Sequence, residues 1–266
     1  MRRRAVRHDV GVSIAETTNW IDLEGAVNAR VVVPGVLLRS DNLQGLTDAD
    51  VRRLIDDHGL RVVIDTRTDH EAASEGPGPM TRAAEVRIEH RSLYPDSGGN
   101  TDLDIEDAAQ RWGSDLADDF HADEEPIIRA YLSYLRRRPD SFVGAARTIA
   151  ATDGAVLVHC AAGKDRTGMI VAMTLWAAGV EQERIVDDYL ASAQRIEAIM
   201  DRLLSSETYR AELEGHDPQA HAPRHGTLER VLGIISEHHG GATEWLRSHG
   251  LTDDELAQLR ARVAGS

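Results

Sequence analysis

Short apolar runs alternate with helical patterns along this chain, as is typical of an α/β protein. Three runs predict buried strands: 31–38, divided by the turn signal Pro34-Gly35 into an edge hairpin, then 61–65 and 155–158. Residues 85–93 alternate in polarity and predict a further strand.

Helices are predicted where apolar residues recur every three or four positions. Thr47 is placed to cap the first helix, which should end near Gly59. Residues 167–178 are apolar nearly all round, so we expect a helix that is buried on every side. The other predicted helices cover 126–138, 141–151, 181–207, 227–239 and a pair within 243–263, with a loop at 215–226.

Composition narrows the classes of function. The chain has 266 residues, of which 41% are hydrophobic, and no apolar stretch approaches the ~20 residues that span a bilayer. A net charge of -15 argues against broad nucleic-acid binding, so any phosphate chemistry belongs in a local pocket. The basic start is not followed by an apolar stretch of signal-peptide length. We therefore expect a cytoplasmic protein without integral membrane association; export by another route and the oligomeric state are left open.

Two rare residues mark the candidate pocket. The chain contains one cysteine, Cys160, and one lysine, Lys164, among 30 basic residues. A single cysteine excludes an intrachain disulfide and a Cys-x-x-Cys metal site. Lys164 and Cys160 lie four positions apart, which indicates one site whose chemistry needs an ammonium where arginine would not serve and a thiol where serine would not serve. By contrast, the acidic stretch at 102–125 is expected to be a solvated helical face or loop.

The stretch 159–168 carries the candidate chemistry, on a predicted connection from a strand to a helix. Five residues separate Cys160 from Arg166, which lets the loop N–H groups converge on a tetrahedral oxyanion in front of a helix N-terminus. Gly163 permits a tight turn, and Arg166 can hold two phosphate oxygens with its planar fork. The same donors stabilise a thiolate, so Cys160 is the candidate nucleophile.

Residues around the loop have predicted supporting roles. Thr167 can donate a hydrogen bond to the cysteine sulfur, and His159 can brace the loop from behind. Asp65 and Arg67, at the end of a predicted strand, are either a supporting layer for the loop or an ordinary structural pair.

The sequence His-Cys-Ala-Ala-Gly-Lys-Asp-Arg-Thr-Gly at 159–168 resembles the signature of the cysteine-dependent tyrosine phosphatase superfamily. It is most similar to the bacterial branch related to mycobacterial protein tyrosine phosphatase B. Residues 19–25 also resemble that branch, with departures at Ile21 and Glu24. Further matching segments are Leu38-Arg39-Ser40, residues 63–67 and Gly250-Leu251-Thr252, so the resemblance covers most of the chain except 95–125.

This resemblance implies a tyrosine-phosphatase-like α/β fold, in which helices flank a central, mostly parallel sheet. It implies one phosphatase domain over residues 1–266, with a helical lid at about 200–240. The implied activity needs neither metal nor organic cofactor. The implied partners are phosphorylated proteins or phosphoinositides as substrates, with phosphotyrosine first and phosphoserine or phosphothreonine as further targets.

The resemblance also assigns roles within the loop. Cys160 attacks phosphorus, Arg166 binds the phosphoryl oxygens, and Asp165 protonates the leaving group, with Asp96 and Asp102 as alternative acids. The residues implied to bind phosphate or substrate are His159, Ala161, Ala162, Gly163, Lys164 and Thr167.

Other interpretations of these residues are weaker. A nucleotide-binding loop needs glycine where the chain has Val158 and Ser or Thr where it has Asp165. A silent phosphate-binding module would be expected to lack Cys160 or Arg166; sulfurtransferase and arsenate reductase loops differ in length and ending. Tyr131 and Tyr134 are expected to be core or groove residues. The histidines that are expected to be solvated, not to bind zinc, are 216, 221, 225, 238 and 239.

Overall fold

The computed structural model describes residues 18–94 and 123–265. These residues form a six-stranded sheet in the order β1-β2-β3-β6-β4-β5. Strands β3, β6, β4 and β5 are parallel, and β1 and β2 add an antiparallel edge. The strands are β1 (Asn19–Trp20), β2 (Arg30–Val33), β3 (Leu37–Ser40), β4 (Leu60–Asp65), β5 (Arg87–His90) and β6 (Ala155–His159). The predicted α/β class with a mostly parallel sheet is confirmed.

Helices connect and flank these strands. In chain order they are α1 (Asp48–Asp56), α2 (Asp69–Glu75), α3 (Pro126–Arg137), α4 (Pro139–Ala151), α5 (Asp165–Ala177), α6 (Gln182–Ala191), α7 (Ile196–Ser205), α8 (Glu207–Leu213), α9 (Thr227–His239), α10 (Ala242–Ser248) and α11 (Asp253–Ala264). Short 3-10 turns occur at Pro79–Arg82, Ser192–Arg195 and Pro218–His221. Among the residues described, no helix is both long enough and apolar enough to cross a bilayer.

The central strand β6 is apolar on both faces because helices cover both. Val156 and Val158 belong to the larger core, which includes residues of α3, α4, α5, α9, α10 and α11. Ala155 and Leu157 belong to a smaller core with Leu54 of α1. A parallel strand buried on both sides shows a continuous apolar run instead of alternation. Its C-terminal end, where the candidate loop begins, is therefore fixed firmly within the molecule.

Most predicted elements are confirmed, and the differences have physical causes. Thr47 closes a capping box on α1, as its position suggested. The predicted hairpin forms from β2 and β3, but the edge of the sheet is β1. The predicted single helix over 181–207 is wrong: a 3-10 turn at Ser192–Arg195 divides it. Ser192 is buried there and accepts hydrogen bonds from Asn28 and Arg30, which hold the chain at this turn.

Candidate active site

The loop between β6 and α5 places Cys160 within a network of buried polar contacts. Cys160 directly follows strand β6 and is 2% exposed, and α5 begins five residues later at Asp165. The Cys160 Sγ accepts a hydrogen bond from the Gly163 N–H at 3.2 Å. The sulfur therefore lies inside the curl of the loop, where a backbone dipole already favours negative charge.

Donors outside the loop hold its carbonyl oxygens. Asn42 N–H donates to Ala161 O at 2.9 Å, and the Asn28 amide donates to Ala162 O and Gly163 O at 2.9 and 3.1 Å. Arg39 donates to Gly163 O at 2.8 Å and to Lys164 O at 3.2 Å. In a planar trans peptide the N–H points opposite to the carbonyl. Fixing the carbonyls outward thus turns the following N–H groups inward, toward the space above Cys160.

Gly163 is required by the path of this loop. Its φ is +68°, a conformation that glycine adopts without steric cost. A Cβ at this position would lie 2.3 Å from Ser40 O, at the end of β3. The loop therefore packs directly against the sheet backbone, and a side chain here would force one of them to move.

Buried charges support the loop from behind. The Asp188 carboxylate pairs with Arg30 Nε at 2.9 Å and also with Arg39. Burial lowers the pKa of Arg30 to about 10, so the guanidinium stays charged at neutral pH. Asp188 thereby fixes the orientation of Arg39, the residue that holds the carbonyls of Gly163 and Lys164.

His159 braces the first turn of the loop, in contact with the ends of two strands. Its Nδ1 lies 3.2 Å from Cys160 O, and its Nε2 lies 3.7 Å from the Asp65 carboxylate. Burial lowers the pKa of His159 to about 4, so the ring is neutral at physiological pH. The pKa of Asp65 is also held below its usual range, against the effect of burial, by His159 and by Arg67. Asp65 and Arg67 form a tight pair directly beside the loop.

Arg166 lies at the other end of the loop and is bound by a carboxylate that the sequence analysis did not identify. Its two terminal nitrogens donate to Glu71 at 2.6 and 2.9 Å, in a bidentate pair that is almost completely buried. Glu71 is also the capping-box residue of α2, since it accepts from the Thr68 N–H at 2.7 Å. The start of α2 therefore orients the arginine of the loop. The Thr68-x-x-Glu71 spacing is that of a capping box, a signal that could have located the start of α2, but no local pattern indicates the contact with Arg166.

Asp165 is the first residue of α5 and is 8% exposed. The Tyr131 hydroxyl donates to Asp165 Oδ1, and the Lys164 ammonium lies 3.4 Å from Oδ2. Asp165 and Lys164 line two adjoining spaces. One is the pocket that contains Cys160 and Arg166, and the other is a more open cleft beside Tyr189 and Arg224.

Helices α7 and α8 cover the loop. Ala161 and Ala162 of the loop share an apolar cluster with Ile199, Leu203 and Tyr209. On one side Arg202 of α7 pairs with Asp41 at 3.0 Å, and Ser206 donates to Glu75 at 2.6 Å. On the other side Lys164 donates to His221 O in the 3-10 turn. The segment proposed as a lid, 200–240, thus has two parts: residues up to 221 contact the loop, whereas α9 packs in the large core.

Not every expected contact is present. The Thr167 hydroxyl is buried but makes no hydrogen bond within the described residues, so the expected bond to the cysteine sulfur is not formed. Asp96, Asp102 and most of the acidic stretch at 102–125 lie outside the described residues. His216 and His221 stack with their ring centroids 5.4 Å apart. No group of three or more potential metal-binding side chains occurs within 18–94 and 123–265.

Comparison with known proteins agrees with this geometry. The model of the tyrosine phosphatase family matches residues 12–265. A tyrosine-protein phosphatase from Nostoc commune is 30% identical over 247 residues, which cover 90% of this chain and 77% of that protein. The triple specificity protein phosphatase PtpB from Mycobacterium tuberculosis is 28% identical over 271 residues, covering 92% of this chain and 97% of that protein.

Proposed function

This chain belongs to the tyrosine phosphatase family, and on that premise we propose that it hydrolyses phosphomonoesters through a phosphocysteine intermediate. The observation that carries the proposal is the loop itself. Its carbonyls are held outward, its N–H groups turn inward, and the Cys160 sulfur accepts one of them. Arg166 lies at its end as a charged fork, beside the positive N-terminus of α5.

In the proposed first step, Cys160 Sγ attacks phosphorus as the bond from phosphorus to the leaving oxygen breaks. The inward N–H groups and Arg166 stabilise the charge that develops on the three equatorial oxygens. Asp165 gives its proton to the leaving oxygen. The electron pair of the broken bond remains on that oxygen, so the products are a neutral alcohol or phenol and phosphorylated Cys160.

In the proposed second step, water hydrolyses this intermediate. The Asp165 carboxylate takes a proton from water while the water oxygen attacks phosphorus and the bond to sulfur breaks. Inorganic phosphate and the starting thiolate result, so the cycle is balanced without an external acid or base. Support for Asp165 in both steps is its position between the Cys160 pocket and the open cleft.

The substrates that we propose are phosphotyrosine proteins, with phosphoserine, phosphothreonine and phosphoinositides as further candidates. The name of the mycobacterial relative states a triple specificity for that protein. Lys164 adds a positive charge where the pocket meets the cleft, which favours substrates with additional negative charge. A phosphopeptide and phosphoinositide panel tests this specificity, with p-nitrophenyl phosphate as reference. Phosphate release from phosphotyrosine peptides is expected, and hydrolysis of p-nitrophenyl phosphate without release from any panel member would contradict it.

The rival cysteine-loop activities are separated by their products. A phosphatase releases phosphate, a sulfurtransferase forms thiocyanate, and an arsenate reductase consumes thiol in the presence of arsenate. We expect phosphate release alone. Thiocyanate formation or arsenate-dependent thiol loss, with no phosphate release, would replace the proposed function. Failure of all three reactions in a protein that binds vanadate would favour a silent phosphate-binding module.

The proposed acid is tested by Asp165→Asn, which keeps the size of the side chain and removes its proton. Alkyl phosphates need protonation of the leaving oxygen, whereas activated aryl phosphates do not. The variant should therefore lose about 10²–10⁴-fold on phosphoserine or inositol phosphates and much less on p-nitrophenyl phosphate. Equal losses on all substrates, with the leaving-group dependence appearing instead in Asp96→Asn or Asp102→Asn, would move the acid to the acidic stretch.

A further inference from the structure

The two carboxylate oxygens of Asp165 have different neighbours. Oδ1 accepts a hydrogen bond from the Tyr131 hydroxyl, and Oδ2 lies 3.4 Å from the Lys164 ammonium. Tyr131 lies on α3, and its contact with the loop joins residues 34 positions apart in the chain. The phenol is completely buried, so water does not compete for this bond.

A second phenol supports Tyr131. Its oxygen lies 2.9 Å from the Tyr189 hydroxyl on α6, and the two rings meet edge to face with centroids 6.3 Å apart. Burial raises the pKa of both tyrosines, so both hydroxyls are neutral at physiological pH. Because the Tyr131 hydroxyl uses its one hydrogen in the bond to Asp165, the hydrogen bond between the two phenols must be donated by Tyr189. The chain of donors therefore runs from Tyr189 through Tyr131 to Asp165 Oδ1.

We propose that Tyr131 is a positioning residue for the acid of the reaction, and that it directs the transferable proton of Asp165 to Oδ2. Because Oδ1 accepts the hydrogen bond from the Tyr131 hydroxyl, it is poorly placed to carry the acidic proton of Asp165. The proton then sits on Oδ2, beside Lys164, whose side chain lines both the pocket and the cleft. This inference rests on the proposed role of Asp165 in leaving-group protonation.

Proton transfer is balanced in this arrangement. The bond from Oδ2 to hydrogen breaks as the proton moves to the leaving oxygen, and the electron pair stays on Asp165. The new carboxylate keeps the hydrogen bond from Tyr131 on Oδ1 and gains the full attraction of the Lys164 ammonium on Oδ2. Both neighbours thus favour the charge that develops on Asp165 during the first step.

The direct test is Tyr131→Phe, which keeps the ring and removes the hydroxyl. Tyr134→Phe is the matched control, because Tyr134 lies on the same helix, is equally buried and stacks on Tyr131, while its hydroxyl meets that of Tyr94 at 2.9 Å. The measured quantity is kcat/KM across phosphate esters with leaving groups from p-nitrophenol to an alkyl alcohol. For each ester, kcat/KM reports the first chemical step, in which the leaving group departs.

Tyr131→Phe should lose on the order of 10-fold with the alkyl ester and much less with p-nitrophenyl phosphate. This is part of the about 10²–10⁴-fold that general acid catalysis contributes, because Asp165 itself is still present. Tyr134→Phe should change both substrates by the same factor. Equal losses of Tyr131→Phe on both substrates, or no loss on either, would overturn the inference. If Tyr131→Phe does not fold, Tyr189→Phe replaces it, because this change removes only the donor to Tyr131. Its kcat/KM should fall by a smaller factor, and again more with the alkyl ester than with p-nitrophenyl phosphate. An equal fall on both substrates would overturn the inference.

The Asp165→Asn background separates this proposal from the proposed function. Adding Tyr131→Phe to Asp165→Asn should not increase the difference between alkyl and aryl substrates any further. If Asp165→Asn alone shows no such difference, the assignment of the acid is wrong. If Asp165→Asn shows it and Tyr131→Phe does not, the acid is retained and the positioning role of Tyr131 is wrong.

Discussion

Glu71 and Arg166 show how a single buried contact links the start of one helix to the Cys160 loop. The carboxylate caps α2 through the Thr68 N–H and binds both terminal nitrogens of Arg166. Arg166 keeps the pKa of Glu71 below its usual range although burial acts in the opposite direction. The pair thus supplies a fixed guanidinium in a place where an unpaired charge would be unstable.

Glu71→Gln tests this contact. Removal of the charge should destabilise the fold by on the order of 3 kcal/mol, since it leaves a buried guanidinium without its counter-charge. It should also lower kcat/KM by on the order of 10²-fold, because Arg166 is no longer held in position. Chemical denaturation and phosphate-release assays measure the two effects.

The control is Arg82→Gln, which breaks an exposed pair with Asp48 at 3.1 Å. An exposed pair contributes about 1 kcal/mol or less, so this variant should behave like the wild type. Equal effects of Glu71→Gln and Arg82→Gln on stability and rate would show that the buried pair has no special role.

Helices α7 and α8 form the cover of the pocket, and we propose that they open as a lid. Three contacts hold the cover closed: the ion pair of Arg202 with Asp41, the hydrogen bond from Ser206 to Glu75, and the hydrogen bond from Lys164 to His221 O in the 3-10 turn. The last contact uses a loop residue that also lines the substrate pocket. A bound phosphate would compete for the Lys164 ammonium, so substrate binding and release of the cover are expected to be linked.

Leu203→Ala should loosen this cover. Leu203 is 4% exposed and lies on α7 in the apolar cluster that includes the loop residues Ala161 and Ala162. Truncation of a buried leucine typically lowers the free energy of unfolding by about 2–5 kcal/mol. The local effect should be faster alkylation of Cys160 by iodoacetamide under native conditions. Leu256→Ala in α11 is the control, because Leu256 is buried in the other core, away from the loop. Equal alkylation rates in the two variants at matched stability would argue against an opening cover.

The buried, neutral His159 makes the stability of the whole fold depend on pH. The unfolded histidine binds a proton below about pH 6.5, whereas burial lowers the folded pKa to about 4. Between these values the unfolded state binds more protons, so the free energy of unfolding rises with pH through this window. The depressed pKa of Asp65 acts in the same direction at lower pH.

Denaturation between pH 7 and pH 4 should therefore show a loss of on the order of 3 kcal/mol that involves His159. His159→Gln should flatten the pH dependence, although it also removes a contact to Asp65. His225→Gln, at an exposed position, should leave the dependence unchanged. A wild-type protein whose stability is constant from pH 7 to pH 4 would contradict the buried neutral histidine.

The sequence predicted elements where the cause is local. Apolar runs identified β4 and β6, Thr47 identified the start of α1, and the spacing of Cys160 and Arg166 identified the loop. These features depend on residues within a few positions of each other. The boundary between α6 and α7 could not be found this way, because Ser192 breaks the helix through contacts with Asn28, more than 160 positions away.

The missed parts of the site have the same origin. Glu71 is 95 positions from Arg166, and Tyr131 is 34 positions from Asp165. Each has a local pattern with an ordinary explanation: a helix cap for Glu71, and a core position on a helix for Tyr131. Only the packing of α2 and α3 brings these two residues into contact with Arg166 and Asp165. Sequence reasoning therefore found the loop and its near supports His159, Asp65 and Arg67, but not the distant partners Glu71 and Tyr131.

The proposed mechanism requires Cys160 to carry the phosphoryl group during turnover. The most direct measurement is acid quenching of the enzyme during hydrolysis of an aryl phosphate, followed by mass spectrometry of the peptide that contains Cys160. We expect a phosphorylated Cys160 that disappears when substrate is exhausted, and none in an inactive Cys160→Ser variant that still binds vanadate. Steady turnover without phosphate on Cys160, or continued turnover by Cys160→Ser, would contradict it.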